Sequence, residues 1–199
     1  MSIDRSVSYE PLAPGTGRAK TIGWWGMLLG ATTLLMFQAS MVAGYVYLSW
    51  RQPVWPPQGI APPPLTQALA ALVSVAAAVA ATTALRAARR GRPARLPAGL
   101  AGAVVVGAGA LAWRVQTYAT LDLRWDDHAY GSLFWLLGGY EIAILGTGVL
   151  VMLVAVAQFV TGRLDVTSDA NAEVAVVYWW FAAATSLLST GTLHLLAYL

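Results

Sequence analysis

Apolar residues run in five long stretches along this chain, from about Thr21 to Ser49, Leu65 to Leu85, Ala98 to Tyr118, Ser132 to Thr161, and Ala172 to residue 198. Each is about 20 residues or longer, the length an α-helix needs to cross the hydrocarbon of a bilayer. The separators are polar or helix-breaking. RQPVWPPQGIAPPP, residues 51–64, holds six prolines in fourteen residues and is an extended loop. Arg86 to Arg95 is a basic turn with Pro93 inside it. ATLDLRWDDHAYG and GRLDVTSDANAE are polar, and Asp169 or Asn171 is placed to cap the fifth helix. The pattern predicts an all-α, polytopic membrane bundle of about five transmembrane helices over residues 21–199, preceded by a flexible tail over residues 1–20.

The first span is too long for the apolar core of a secretory signal, so no cleaved leader is expected. At 1.5 Å per residue it covers about 42 Å, which requires tilt or protrusion. Trp24 and Trp25 mark one end, and Tyr45, Tyr47 and Trp50 the other, as two aromatic belts. The second span is dominated by alanine, which contributes little to partitioning into lipid, so neighbouring helices are expected to enclose it. In the third, Gly99, Ala103 and Gly107 recur every fourth residue, a face for close helix packing.

Composition adds contrast. Hydrophobic residues make up 58% of the 199 and charged residues 11%, against about 25% charged in soluble domains. The formal net charge is +3, but the basic residues flank apolar segments, so they point to membrane topology and not to nucleic acid. One side collects nine: Arg5, Arg18, Lys20, Arg86, Arg89, Arg90, Arg92, Arg95 and Arg163. The other collects Arg51 and Arg124. The expected orientation has the N-terminus inside and the C-terminus outside. Arg86, Arg89 and Arg90 are candidate contacts to lipid headgroups.

Candidate chemistry is sparse. There is no cysteine, which excludes thiolate metal sites and iron–sulfur clusters, and His128 and His194 are the only histidines. A di-haem site takes about four axial ligands, so no catalytic, cofactor-binding or metal residue is assigned in this chain. Glu141 lies well inside the fourth span, where an ionised carboxylate is costly unless partnered. Its reading is a buried acid hydrogen-bonded to a neighbouring helix, with a proton- or lipid-linked role as the sharper alternative. Arg114, about one turn inside the third span, is expected to snorkel to the headgroups, with pairing to Glu141 as the minor reading. Gln116, Gln38, Thr32 and Thr33 are expected to bond between helices. His128 reads as a solvated loop residue and His194 as interfacial, with Glu141, Arg114, Gln116 and His194 as the intramembrane or lipid-contact candidates. Tyr178, Trp179 and Trp180 read as aromatic packing.

Three stretches in order resemble subunit III of the haem–copper oxidases. GYVYLSWRQPVWPPQGI, residues 44–60, is similar to a Tyr-x-Tyr-Leu helix end followed by Trp-Pro-Pro-x-Gly, here Trp55, Pro56, Pro57 and Gly59. AYGSLFWLLGGYEIAILGTGVL, residues 129–150, resembles Tyr-Gly-Ser-x-Phe-Phe followed by Thr-Gly-Phe-His-Gly-x-His, and EVAVVYWWFAAATSLL, residues 173–188, a Glu…Tyr-Trp-His-Phe-Val-Asp segment. The departures are specific. Leu34 falls where the family carries a carboxylate, Glu141 and Ile144 replace two histidines, and Trp180 and Ala183 stand for His and Asp. The resemblance implies two helix groups around a lipid-filled cleft. It further implies an accessory, cofactor-free subunit of a bacterial inner-membrane terminal oxidase, packed against subunit I, which carries the haem and copper. Trp55, Pro56, Pro57 and Gly59 are then the candidate subunit-contact loop, and bound phospholipid is expected. A nitric oxide reductase accessory protein is the nearest alternative. A small transporter is a weaker one, lacking internal repeats or broken helices.

Overall fold

The computed structural model describes residues 21–57, 60, 66–90, 92, 95–161 and 170–195. Five helices account for most of them: α1 (Ile22–Arg51), α2 (Thr66–Arg89), α3 (Arg95–Ala119), α4 (Ala129–Val160) and α5 (Ala170–Leu195). All five contain segments long and apolar enough to cross a membrane, so the chain is an all-α, polytopic membrane bundle. The proposed tail, residues 1–20, lies outside the described residues, as do Gly59, Arg163, Asp169 and residues 196–199.

The helices outrun the apolar stretches. α2 continues past Leu85 to Arg89, and α3 begins at Arg95, so Arg86, Arg89 and Arg95 sit on helix ends and not in a loop. Backbone hydrogen bonding does not stop where the hydrocarbon stops, and cations in the last turn of α2 complement its dipole. Pro97 is tolerated because it falls in the first turn of α3, where amide hydrogens have no partner within the helix. α4 begins three residues earlier than the apolar pattern, capped by His128, whose Nδ1 accepts from the Gly131 amide at 3.1 Å. His128 is thus a capping residue rather than a free loop residue. Asn171, expected as a cap, lies inside α5 and donates to Gln158 Oε1 of α4 at 2.9 Å.

α2, α3, α4 and α5 form a closed ring in which each helix touches both of its neighbours. α1 is applied outside the ring, along α5 and more lightly α4. Within their membrane-crossing windows 61% of α5 is buried but only 11% of α1, which makes α5 the central helix. The grouping is therefore four helices and one.

The ring closes around Trp179 of α5, which is fully buried. Its indole lies against Gly107 of α3 and Gly148 of α4, and its N–H donates to the Ser74 carbonyl of α2 at 3.2 Å. One side chain thereby touches the three other helices of the ring. A β-carbon at Gly107 would overlap the ring, and one at Gly148 would come within 2.8 Å of it. Gly99, two steps of four residues earlier on the same face of α3, meets Ala84 of α2 with equal tightness. Around Trp179 the interior is filled by small and medium residues, including Ala77, Ala81, Leu100, Ala103, Met152 and Ala175. In lipid such close fits supply the association energy that the hydrophobic effect supplies in water.

A second glycine contact joins α3 and α4 near their connecting loop, where the Tyr118 ring lies directly on Gly138. Gly109 and Gly139, next to these positions, have no atom within reach of an added β-carbon. Gly107→Ala and Gly138→Ala should each lower stability by about 1–3 kcal/mol through overpacking. Gly109→Ala and Gly139→Ala should be neutral or gain up to about 1 kcal/mol from helix propensity. Thermal unfolding of the four variants in mild detergent checks this contrast.

Candidate functional site: a buried polar clasp

Polar side chains inside the bundle collect in one band, in the half nearer the α3–α4 loop. Its centre is an ion pair. Arg114 of α3 and Glu141 of α4 are both buried, with exposures of 1% and 0%. The Arg114 Nε donates to Glu141 Oε1 at 3.0 Å, and one terminal nitrogen donates to Oε1 at 2.7 Å and Oε2 at 2.9 Å. That same nitrogen reaches Thr190 Oγ1 of α5 at 2.8 Å, and the Ser186 hydroxyl of α5 donates to Glu141 Oε1. The carboxylate is thus held by donors from two other helices, and α3, α4 and α5 are fastened at one level.

Arg114 does not snorkel. Side chains on a helix lean toward its N-terminus. Arg114 sits near the C-terminal end of α3, so this lean carries it away from the nearby headgroups and into the bundle. Glu141 sits on the antiparallel α4, and the same rule tilts it up toward the loop end. The two side chains converge across a difference in depth of about 10 Å, taken at 1.5 Å per residue from the helix ends. Tyr118, one turn beyond Arg114, lies over Gly138, nearly one turn before Glu141, and closes the pair off from the loop end.

A second polar joint fixes α1. Gln38, fully buried, donates through Nε2 to the Thr185 carbonyl at 2.9 Å and to Ser189 Oγ at 3.0 Å, both on α5. Thr185, Ser186, Ser189 and Thr190 are all buried and make a polar strip on α5 that serves both joints. Of the other residues expected to bond between helices, Thr32 and Thr33 turn back to the Leu28 and Leu29 carbonyls of their own helix, at 2.8 and 3.0 Å. A hydroxyl one bond from the backbone is already within reach of the carbonyl four residues back. Gln116 is exposed and stands outside the band. His194, expected at the interface, is buried at 8% exposure in the last turn of α5, because that face of the helix is covered by the bundle. Trp180 is partly exposed, and its indole N–H donates to Thr82 Oγ1 of α2 at 2.8 Å.

The Trp55 loop also turns inward. Trp55 is half-buried, with its ring edge-on to Tyr45 of α1 and to Tyr130 of α4, each at 5.3 Å. Pro56 and Pro57 are half-buried beside it. The outward apolar residues of this region are Trp50, at 84% exposure, and Val54. Trp55 therefore plugs the end of the bundle, where Phe134, Tyr118 and Trp135 continue the aromatic chain. In the α3–α4 loop, Arg124 pairs with Asp126 at 2.9 Å and holds its carboxyl below the usual range. That pair is solvent-facing and contributes little. No group of three or more His, Cys, Asp or Glu converges among the described residues.

No family model matches the chain, and no curated protein matches it.

With every oxygen of Glu141 engaged, the site's chemistry is that of a fixed electrostatic clasp. The serine and threonine strip of α5 that completes it carries no charge and no sequence motif, though its spacing of one, four and five residues marks a single helical face. Glu141→Gln removes the counter-charge and strands a buried guanidinium, at an expected cost of about 3–5 kcal/mol. Gln116→Ala, on the exposed side of α3, should stay within about 0.5 kcal/mol of the parent. Yield and thermal stability of the detergent-solubilised variants separate the two.

Proposed function

We propose that this chain is an accessory, cofactor-free subunit of a haem–copper terminal oxidase in a bacterial cytoplasmic membrane. It packs against the catalytic subunit that carries the haem and copper, stabilises that subunit and holds phospholipid at the contact. The N-terminus lies inside in this reading, an orientation that the arginine distribution supports. The role is scaffolding within aerobic electron transport, with no catalytic step on this chain.

The observation that carries this reading is that the segments resembling subunit III, far apart in sequence, meet in space. Tyr45 and Trp55 of the first segment lie on Tyr130, at the start of the second. Two of the five departures also fall together. Leu34, where the family carries an acid, and Ile144, where it carries a histidine, lie in one apolar cluster with Tyr178 of the third segment. Tyr140 donates its hydroxyl to the Leu34 carbonyl at 2.7 Å across the same α1–α4 contact. Removing an acid from α1 and a histidine from α4 at one contact leaves no charge stranded, which is how such a site must be lost if the bundle is to stay folded.

α1 supplies a surface suited to lipid or a partner subunit. Trp25, Leu29, Met36, Tyr47 and Trp50 are exposed along it. The test is isolation of the chain from its native membrane in mild detergent, with identification of the proteins that accompany it and a haem spectrum. A copurifying haem–copper catalytic subunit that consumes oxygen is the expected result. The same preparation reducing nitric oxide instead would move the chain to a nitric oxide reductase, and recovery as a haem-free homo-oligomer would overturn the reading.

A further inference from the structure

The α2–α3 turn carries five arginines, and the fold uses one of them. Arg89 reaches across to Glu173 at the start of α5 at 2.8 Å. The other four, Arg86, Arg90, Arg92 and Arg95, line a concavity of about 450 Å³ together with Thr83 and Ala87. None of these four arginines pairs with a carboxylate among the described residues. Nor are their side chains needed to hold the turn. Its backbone is fastened by its own bonds, from the amides of Arg90 to the Arg86 carbonyl at 3.2 Å, Arg92 to Ala87 at 3.1 Å and Arg95 to Arg92 at 3.2 Å. The helices beneath it are locked by the Gly99–Ala84 contact.

A signal for membrane orientation needs only positive charge on one side. It does not need four arginines lining one hollow, where like charges are brought close together. The hollow lies where the membrane-crossing parts of α2 and α3 end, at Arg89 and Arg95, so it opens at the level of the headgroups. The start of α3 adds the positive end of a helix dipole. We infer that this pocket is a phosphate site, filled by the phosphate of an anionic lipid headgroup or by a free phosphate-bearing anion. The guanidinium fork matches phosphate oxygens two at a time, and an anion there removes the mutual repulsion of the four cations. The inference stands apart from the identity of any partner subunit.

The experiment uses the full chain purified in mild detergent, with lipid retention read by native mass spectrometry. Phosphatidylglycerol should be retained in preference to phosphatidylcholine, and the double variant Arg86→Gln/Arg90→Gln should lose about tenfold of that affinity, as expected for charge-assisted hydrogen bonds. Arg86→Lys/Arg90→Lys, which keeps the orientation signal but not the fork, should show an intermediate loss, and Arg124→Gln none. Displacement of the lipid by inorganic pyrophosphate, with the same loss in the Gln variant, supports the phosphate site and assigns it to a soluble anion. Equal retention of both lipids with no effect of pyrophosphate overturns the inference, as does a Lys variant indistinguishable from the parent.

Discussion

A guanidinium and a carboxylate inside hydrocarbon are each too costly to leave alone, and the cheapest remedy is to meet. Arg114 and Glu141 meet, and much of the bundle follows from where they do so. The pair fixes how far α3 and α4 slide past each other. Ser186 and Thr190 then fix α5 at the same level, because the remaining lone pairs and N–H groups need partners that lipid cannot provide. Gln38 carries the same demand outward to α1. Polar satisfaction thus sets the register of four helices, while small residues set their separation.

The separation is visible at Trp179. Glycines at 107 and 148 open a slot that the indole fills, and the α2 carbonyl of Ser74 completes the hydrogen bonding of the ring. The two devices lie at different depths. Trp179 closes the ring toward the arginine end, and the ion pair with the Tyr118–Gly138 contact closes it toward the α3–α4 loop. α1, outside the ring, is held by Gln38, by the Tyr140 hydroxyl and by the aromatic contacts of Tyr45. Most of its remaining surface is apolar and exposed, as befits the helix with the fewest internal obligations.

The five spans were legible because apolar length is a strong signal in a membrane protein. Their ends were less so, since Arg86, Arg89 and Arg95 extend helices into the interface without adding hydropathy. Glu141 was legible as a buried, hydrogen-bonded acid from its depth alone. Its partner was obscured because counting residues gives depth but not lean, and only the opposite tilts of side chains on antiparallel helices bring Arg114 and Glu141 together. Thr32 and Thr33 look like Gln38 in sequence, yet the short hydroxyls satisfy themselves locally while the longer amide crosses to α5. Trp55 stands in a proline-rich loop whose sequence gives no sign of its neighbours, and its packing beside Tyr45 and Tyr130 follows only from how the helix ends meet. The strip of serine and threonine on α5 gives no such signal, being neutral and common in membrane helices.

Arg114 and Glu141 act as one unit holding α3, α4 and α5. A double-mutant cycle with Arg114→Leu, Glu141→Leu and the double variant, followed by reversible unfolding in detergent, measures this most directly. The double variant should be more stable than either single variant, because leucine at both positions leaves no stranded charge, so the coupling should exceed about 3 kcal/mol, the cost of one stranded charge. Losses that simply add, with the double variant the least stable of the three, would contradict it.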